Sequence, residues 1–200
     1  MKLTLTKQQA ESLGSLVAFA DKGRDANRVL TEIKVTVKDG QLTAVATDRY
    51  TVARFIDEVV APDMEFRITS LMAKWITDNL KVKGYSPELT LEPGEIGSVT
   101  ASLEDGARNF TDSVSNWKFP EVEKLFTEWE AAATIPALSL RAEFLGKLEK
   151  LKANGQKAEV WRFEPGANKF NGNKPGPVKA TALKVDSKLT ALIQPNLLVD

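Results

Sequence analysis

The apolar positions of this chain repeat one pattern three times, in which a short alternating strand runs directly into an amphipathic helix. Leu5, Ile68 and Leu140 hold the same register in the three strands, and each precedes a helix with one apolar face. The aligned positions of that face are Ala10, Ala73 and Leu145, then Leu13, Ile76 and Leu148, then Leu16, Leu80 and Leu151. The pattern predicts three equivalent strand-helix elements, with Thr6 and Thr69 as helix N-caps.

Strands are predicted after each helix, so the repeated unit is β-α-β-β-β and the fold class is α+β. The strand-helix pairs are expected at 3–6 with 7–22, at 66–69 with 70–83, and at 138–141 with 142–154. The strands that follow are expected at 30–37, 42–46 and 51–56, then 89–92, 97–103 and 109–114, then 158–163, 178–185 and 188–194. Asp39-Gly40 is a hairpin turn signal between the first two of these strands. The alternative is a generic α+β protein in which the register is accidental.

Composition narrows the possible chemistry. The chain has 200 residues, 42% hydrophobic and 27% charged, which is typical of a globular protein. It contains no cysteine and no histidine, which excludes disulfides, thiolate sites and histidine general bases. No apolar run approaches the roughly 20 residues of a membrane span. We therefore expect a cytoplasmic protein without a cofactor, metal site or catalytic residue, and the enzymatic alternative has little support.

Three local motifs occur in a consistent order along the chain. Ala46-Thr47-Asp48-Arg49-Tyr50 closes the first hairpin, Phe119-Pro120 precedes Lys124-Leu125, and an apolar C-terminal stretch contains Pro195. Together with the repeated unit, these motifs resemble the bacterial DNA polymerase III β sliding clamp family. That family has six units in three domains, whereas this chain has three units, so it resembles a short and possibly phage-encoded clamp. Arg49 stands where the family often has a small residue, and Gln194 and Asn196 replace methionines usual near the end.

The resemblance implies a DNA-clamp-like fold with helices on one face and antiparallel sheets on the other. It divides the chain into a complete two-unit domain at 1–118, a connector at 119–132 and a half domain at 133–200. It also implies a hydrophobic pocket for partner peptides, where an apolar side chain supplies most of the affinity. The pocket residues would be Leu30, Thr47, Arg49, Tyr50, Val52, Pro120, Lys124, Leu125, Leu192, Gln194, Pro195 and Asn196. The alternative for Leu30, Val52 and Leu125 is an ordinary place in the core.

A clamp holds DNA through phosphate contacts that do not read sequence. Net charge is zero, with 27 basic and 27 acidic residues, so any basic face must arise from the distribution of charge. The DNA-binding candidates on and beside the three helices are Lys7, Lys22, Arg24, Arg28, Lys74, Lys81, Lys83, Arg141, Lys147, Lys150 and Lys152. The alternative for any one of them is a solvated lysine or arginine paired with a nearby carboxylate.

The leading hypothesis is a non-enzymatic clamp or processivity factor that binds double-stranded DNA and tethers a polymerase or other DNA enzymes. Because a family ring has twelve units, three units per chain imply a homo-oligomeric ring of four chains. The second hypothesis is an interaction module or regulator that keeps the peptide pocket without encircling DNA.

Overall fold

The computed structural model describes residues 1–23, 28–81, 87–103, 108–132, 139–153, 155–167, 176–183 and 189–195. Its helices are α1 (Lys7–Ser15), α2 (Ser70–Asn79), α3 (Glu123–Thr127) and α4 (Ala142–Leu148), with 3-10 turns at Leu16–Phe19, Arg28–Thr31 and Glu95–Gly97. Its first eight strands are β1 (Leu3–Leu5), β2 (Glu32–Lys38), β3 (Gln41–Thr47), β4 (Thr51–Glu58), β5 (Met64–Thr69), β6 (Leu89–Pro93), β7 (Ser98–Leu103) and β8 (Asn109–Ser113). The rest are β9 (Lys152–Ala153), β10 (Gln156–Lys157), β11 (Trp161–Glu164), β12 (Val178–Ala182) and β13 (Leu189–Ile193). The α+β prediction is confirmed.

The first two helices begin where the sequence predicts them. The Thr6 side chain accepts a hydrogen bond from the Gln9 backbone N–H at 3.3 Å, and the Gln9 side chain accepts one from the Thr6 backbone at 3.0 Å. Thr69 accepts in the same way from the Met72 backbone N–H at 3.1 Å. Both threonines therefore satisfy backbone donors that a helix start leaves unpaired.

The first two units interlock through their leading strands. β1 pairs with β6 of the second unit, with Leu3 opposite Leu91, while β5 pairs with β2 of the first unit, with Ile68 opposite Ile33. Each leading strand therefore lies at the edge of the other unit's sheet, and α1 and α2 pack together over the shared core. This exchange covers two strand edges that would otherwise be unpaired.

The third unit attaches to the first by continuing its sheet. β13 pairs antiparallel with β4, with Leu192 opposite Val52, and the seven-stranded order is β11-β12-β13-β4-β3-β2-β5. The second unit forms a separate four-stranded sheet of order β1-β6-β7-β8. Across the residues described, no helix is both long enough and apolar enough to span a membrane.

Two predictions about the third unit are wrong. In its predicted leading strand, residue 139 forms a single β-bridge, residues 140 and 141 belong to no strand, and residue 138 lies outside the described residues. The first two units place their leading strands on a sister sheet, whereas the third has no sister unit in the chain. The predicted helix 142–154 ends at Leu148, and a β9–β10 hairpin follows, with Gly155 at a φ of 73°. Asn154-Gly155 is the hairpin signal that the helix prediction overlooked.

The aligned core positions hold in the first two helices and shift in the third. Ala10, Ala73, Leu13 and Ile76 are fully buried, and so are the three leucines at 16, 80 and 151. In α4 the buried pair is Phe144 and Leu148, whereas Leu145 is 40% exposed. The larger Phe144 ring, four positions before Leu148, takes the inward position.

Candidate partner surface and basic helices

The connector packs on the face of the large sheet that points away from the main core. Its Phe119 and Val122 are buried against side chains of the first unit. We call this group the connector cluster; it consists of Val29, Leu30, Val45, Val52, Phe119 and Val122, with Phe126 packed beside it. Val45 and Val52 alternate along their strands with Ala44, Ala46 and Ala53, which face the main core. The period of two along a strand therefore gives this sheet two apolar faces.

Two charged side chains of the sheet hold the connector in place. The Lys34 Nζ lies 3.1 Å from a Glu123 carboxylate oxygen and 3.2 Å from one of Glu65. Burial would lower the pKa of Lys34, but these two carboxylates outweigh burial and hold that pKa above its ordinary value. The Arg54 guanidinium lies 4.3 Å from the centre of the Phe126 ring, a cation–π contact. Burial lowers the pKa of Arg54, with Glu123 acting in the opposite sense.

The turn between β3 and β4 is fixed by side-chain hydrogen bonds. Asp48 accepts from the Thr51 backbone N–H and from its hydroxyl, both at 2.8 Å. Thr47 donates its hydroxyl to the Thr51 carbonyl at 2.9 Å. Between them, Arg49 adopts a φ of 80°, an uncommon value for a residue with a Cβ. The hydrogen bonds over-determine the turn, which explains how a non-glycine residue keeps this conformation.

Lys147 of α4 completes the turn from outside. Its Nζ bonds the Asp48 carboxylate and also donates to the Thr51 hydroxyl at 3.1 Å, and its side chain is only 14% exposed. Burial would raise the pKa of Asp48, but the Lys147 and Thr51 hydrogen bonds prevail and hold that pKa below its ordinary value. Lys147 therefore joins the third unit to the first.

A cleft lined by aromatic side chains and by charges of both signs opens beside this ion pair. The Tyr50 ring is half exposed and stacks on Phe144, with ring centres 6.3 Å apart. The Arg141 guanidinium lies 6.0 Å from the Tyr50 ring centre and 5.7 Å from that of Phe144. The cleft has a volume of about 250 Å³, and Lys22 and Arg49 also line it. Three carboxylates line it too, and each pairs with one of its cations: Asp21 with Arg49, Glu143 with Arg141, and Asp48 with Lys147. The cleft therefore suits an aromatic or apolar group better than an anion.

The predicted pocket residues fall into two groups. Leu30 and Val52 belong to the connector cluster, and Thr47 and Leu192 are buried in the sheet beside them. The connector residues Pro120, Lys124 and Leu125 lie at its surface, where Leu125 is 46% exposed and Lys124 pairs with Glu121 at 2.8 Å.

The second group faces α4. Arg49 and Tyr50 line the cleft described above, and the Tyr50 carbonyl accepts from the Gln194 backbone N–H at 3.0 Å. Gln194 is exposed, Pro195 is buried, and Asn196 lies outside the described residues.

The basic candidates also differ in their surroundings. Lys22, Arg28, Lys74 and Lys150 are exposed, and Lys7 is partly exposed. Lys81 pairs with Asp78 at 2.6 Å, Arg141 with Glu143 at 3.4 Å, and Lys152 with Glu11 at 3.3 Å. Arg24 and Lys83 lie outside the described residues. Lys147 and Lys152 are tied into the fold, so the exposed four are the better placed for a phosphate.

Sequence reasoning named Phe119 only as part of a motif, and it missed Val122, Phe126 and Phe144, which pack at these two surfaces. Phe144 was detectable from its spacing of four to Leu148. Phe119, Val122 and Phe126 follow an i, i+3, i+7 spacing in the connector, which is the signal for one apolar face. Arg54 gave no signal, because only the packed connector supplies its aromatic partner.

The sequence matches no protein-family model and no curated protein. The structure is similar to bacterial sliding clamps. A DNA polymerase sliding clamp from Pseudomonas aeruginosa matches at a TM-score of 0.69 and 13% identity, covering 99% of this chain and 67% of that one. A DNA polymerase III subunit beta from Bartonella birtlesii matches at 0.68 and 12% identity, covering 100% and 66%. Caulobacter crescentus pol III beta matches at 0.67 and 10% identity, covering 100% and 67%.

These neighbours show that the chain has the fold of bacterial DNA polymerase III β sliding clamps, so the resemblance seen in the sequence is confirmed at the level of the fold. The chain is a short clamp-like version, since it spans about two thirds of the length of those clamps.

Proposed function

We propose that this protein is a sliding clamp that holds duplex DNA without reading its sequence and tethers DNA enzymes, with no catalytic step of its own. The observation that carries the proposal is the match of the whole chain to sliding clamps at TM-scores of 0.67 to 0.69. The homo-oligomeric ring of four chains belongs to this proposal, as does the division into a complete domain, a connector and a half domain.

DNA contact in this proposal comes from the exposed cations Lys22, Arg28, Lys74 and Lys150. They act as point charges near phosphates, so binding weakens with salt and does not depend on sequence. Charge reversal at Lys74 and Lys150 should lower duplex affinity by about tenfold or more at low salt, because each lost phosphate contact removes a released counterion. Charge reversal at Lys147 would instead disturb the Asp48 turn, and makes a poor test of DNA contact.

The partner surface in this proposal combines the exposed Leu125 with the cleft at Tyr50. A partner peptide would place an apolar or aromatic anchor there, where the surrounding apolar atoms exclude water. Leu125→Asp and Tyr50→Ala should each weaken binding of apolar-anchored peptides taken from DNA polymerases. Leu71→Asp, at an exposed position on α2, is the matched control.

The test of encirclement is retention on circular against linear DNA. Chains diluted to dissociate their assemblies are reconcentrated with nicked circular plasmid, and the mixture is gel filtered at a salt concentration that strips non-specific contacts. We expect co-elution with the circle and loss after one restriction cut. Equal retention on both forms, or none on either, would contradict encirclement.

The second candidate, an interaction module that does not encircle DNA, is favoured by one observation, namely that the chain spans about two thirds of its structural neighbours. It predicts peptide binding that survives in variants without duplex affinity, and no difference between circular and linear DNA.

A further inference from the structure

The third unit leaves exposed a helix position that the first and second units bury. Ala10 of α1 and Ala73 of α2 align with Leu145 of α4 in the repeat. The two alanines are fully buried, while the larger and more apolar Leu145 is 40% exposed. An exposed leucine is common by itself, so the observation gains weight only from a neighbouring patch.

The sheet beneath α4 shows the same contrast. In the strands that follow α1 and α2, the inward residues Ile33 and Val35 of β2 are fully buried, as are Leu89 and Leu91 of β6. Phe163 of β11 pairs with the fully buried Ala180 and so lies on the same helix-covered side, yet it is 45% exposed. Three of the exposed large apolar side chains, Leu145, Val160 and Phe163, therefore gather on one unit.

In the first and second units, each unit covers the equivalent positions of the other. Gly14 of α1 lies so close to α2 that an added Cβ would stand 2.6 Å from the Thr77 methyl carbon and 3.1 Å from the Ala73 carbonyl oxygen. The close helix contact buries the aligned alanines of both units and closes the shared core. The third unit carries the same design without a sister.

The uncovered positions border a groove of about 530 Å³ between α4 and β11. Leu145, Leu148, Trp161 and Phe163 form its apolar wall, and Glu149, Lys157 and Glu159 stand at its rim. The Lys157 Nζ lies 3.5 Å from a Glu149 carboxylate oxygen. The rim thus carries both signs of charge, which is what a surface needs if it is to meet a copy of itself about a two-fold axis.

We infer that the occupant of this groove is the same groove of a second copy, so that two half domains complete one another as the first two units do within a chain. Leu145 and Phe163 of each copy supply the apolar contact. Glu149 aligns with Gly14 and Thr77, which lie at the close contact between α1 and α2. Because Glu149 is larger than either, the two α4 helices stay further apart than α1 and α2. Lys157 offsets the like charge of the two Glu149 carboxylates. The pairing needs no DNA and goes beyond the proposed function. A chain that dimerises but is not retained on circular DNA would refute the proposed function and leave the pairing standing.

Cross-linking gives a direct test, because the chain has no cysteine. In Leu145→Cys, a short bismaleimide can link only one copy to another. We expect a covalent dimer at micromolar protein, and little product from Leu71→Cys, an exposed leucine on α2. Equal cross-linking of the two variants would overturn the inference.

Sedimentation measures the same contact without a reagent. The intact chain should sediment as a dimer or an even multiple, and Leu145→Asp or Phe163→Asp should weaken self-association at least about tenfold, since two buried side chains are lost per dimer. Leu71→Asp should leave the mass unchanged, and circular dichroism checks that all variants fold. A monomer at about 100 μM, or an assembly whose mass neither Asp variant lowers, would overturn the inference. A groove that a small apolar dye fills in place of a second copy would do the same.

Discussion

The first two units and the third are built from the same repeat, yet their apolar helix faces and strand edges are covered to different extents. The first two exchange leading strands and pack α1 on α2, so that both helix faces and both strand edges are covered within the chain. The third joins its sheet to β4 and fixes α4 through the Lys147–Asp48 pair. The comparison teaches that paired units bury their aligned helix positions, whereas the single third unit leaves Leu145 and Phe163 partly exposed.

The largest expected effect compares one substitution in both regions. Leu13→Ala removes a fully buried side chain between α1 and the core and should lower the free energy of unfolding by about 2–5 kcal/mol. Leu145→Ala, at a partly exposed position, should cost below about 1 kcal/mol at protein concentrations where the chain is monomeric. Urea denaturation of both variants checks this; equal losses would break the contrast between the two regions.

The next effect concerns the joint between the first and third units. Asp48→Asn should lower the free energy of unfolding by about 1–3 kcal/mol at pH 7, because Lys147 loses its buried carboxylate partner. Since the folded pKa of Asp48 is depressed, the stabilisation is present above the unfolded pKa of about 3.9 and disappears as pH falls through the lower folded pKa. The difference between the wild type and the variant should therefore shrink below about pH 4.

The control for this joint is a double-mutant cycle. In a Lys147→Met background, Asp48→Asn should cost less than in the wild type, because the interaction is already absent. Full additivity of the two substitutions at pH 7 would show that the ion pair contributes nothing.

Alanine should have smaller and unequal effects at two glycines, one in α4 and one in α1. Gly146→Ala in α4 meets no atom within 4 Å of the added Cβ and should raise the free energy of unfolding by about 0.5–1 kcal/mol through helix propensity. Gly14→Ala in α1 meets Thr77 and the Ala73 backbone, and should be neutral or destabilising despite the same gain in propensity. Thermal melts compare the two; stabilisation by both would mean that α1 and α2 are less tightly packed than described.

The smallest effect concerns the connector. Glu123→Gln removes one of the two carboxylate partners of Lys34, and because both side chains are partly exposed it should cost below about 1 kcal/mol. Its signature is local: amide hydrogen exchange should quicken over residues 119–127 and not in α1. Glu121→Gln is the matched control, since Glu121 is exposed and pairs with Lys124 and Lys118, which hold its pKa at about 2. Faster exchange in both variants alike would remove the role of Lys34.

The sequence predicted the features that repeat and missed those that do not. The shared register of Leu5 and Ile68, the N-caps Thr6 and Thr69, and the strands of the first two units follow from local periodicity and capping chemistry. Predicting the third unit by alignment with the first two failed at Leu145, because the alignment assumes a sister unit that the chain does not contain.

The sequence predicted which residues belong to the candidate site, but not which of them lie together in the structure. Leu30 and Val52 do meet the connector, yet Tyr50 and Arg49 turn towards α4, because Asp48 is drawn to Lys147, 99 positions away in the chain. A long-range ion pair of this kind has no periodicity, and local sequence patterns do not reveal it.

The pairing of β4 with β13 also joins two strands that are synthesised at very different times. β4 ends at residue 58, and its partner begins at residue 189, near the end of the chain. A ribosome adding about 5–20 residues per second leaves the outer edge of β4 without that partner for roughly ten seconds after β4 is made. During that interval the nascent chain exposes an apolar strand edge of the kind that misassembles or recruits chaperones, so a slower rate of elongation should lower the yield of folded protein.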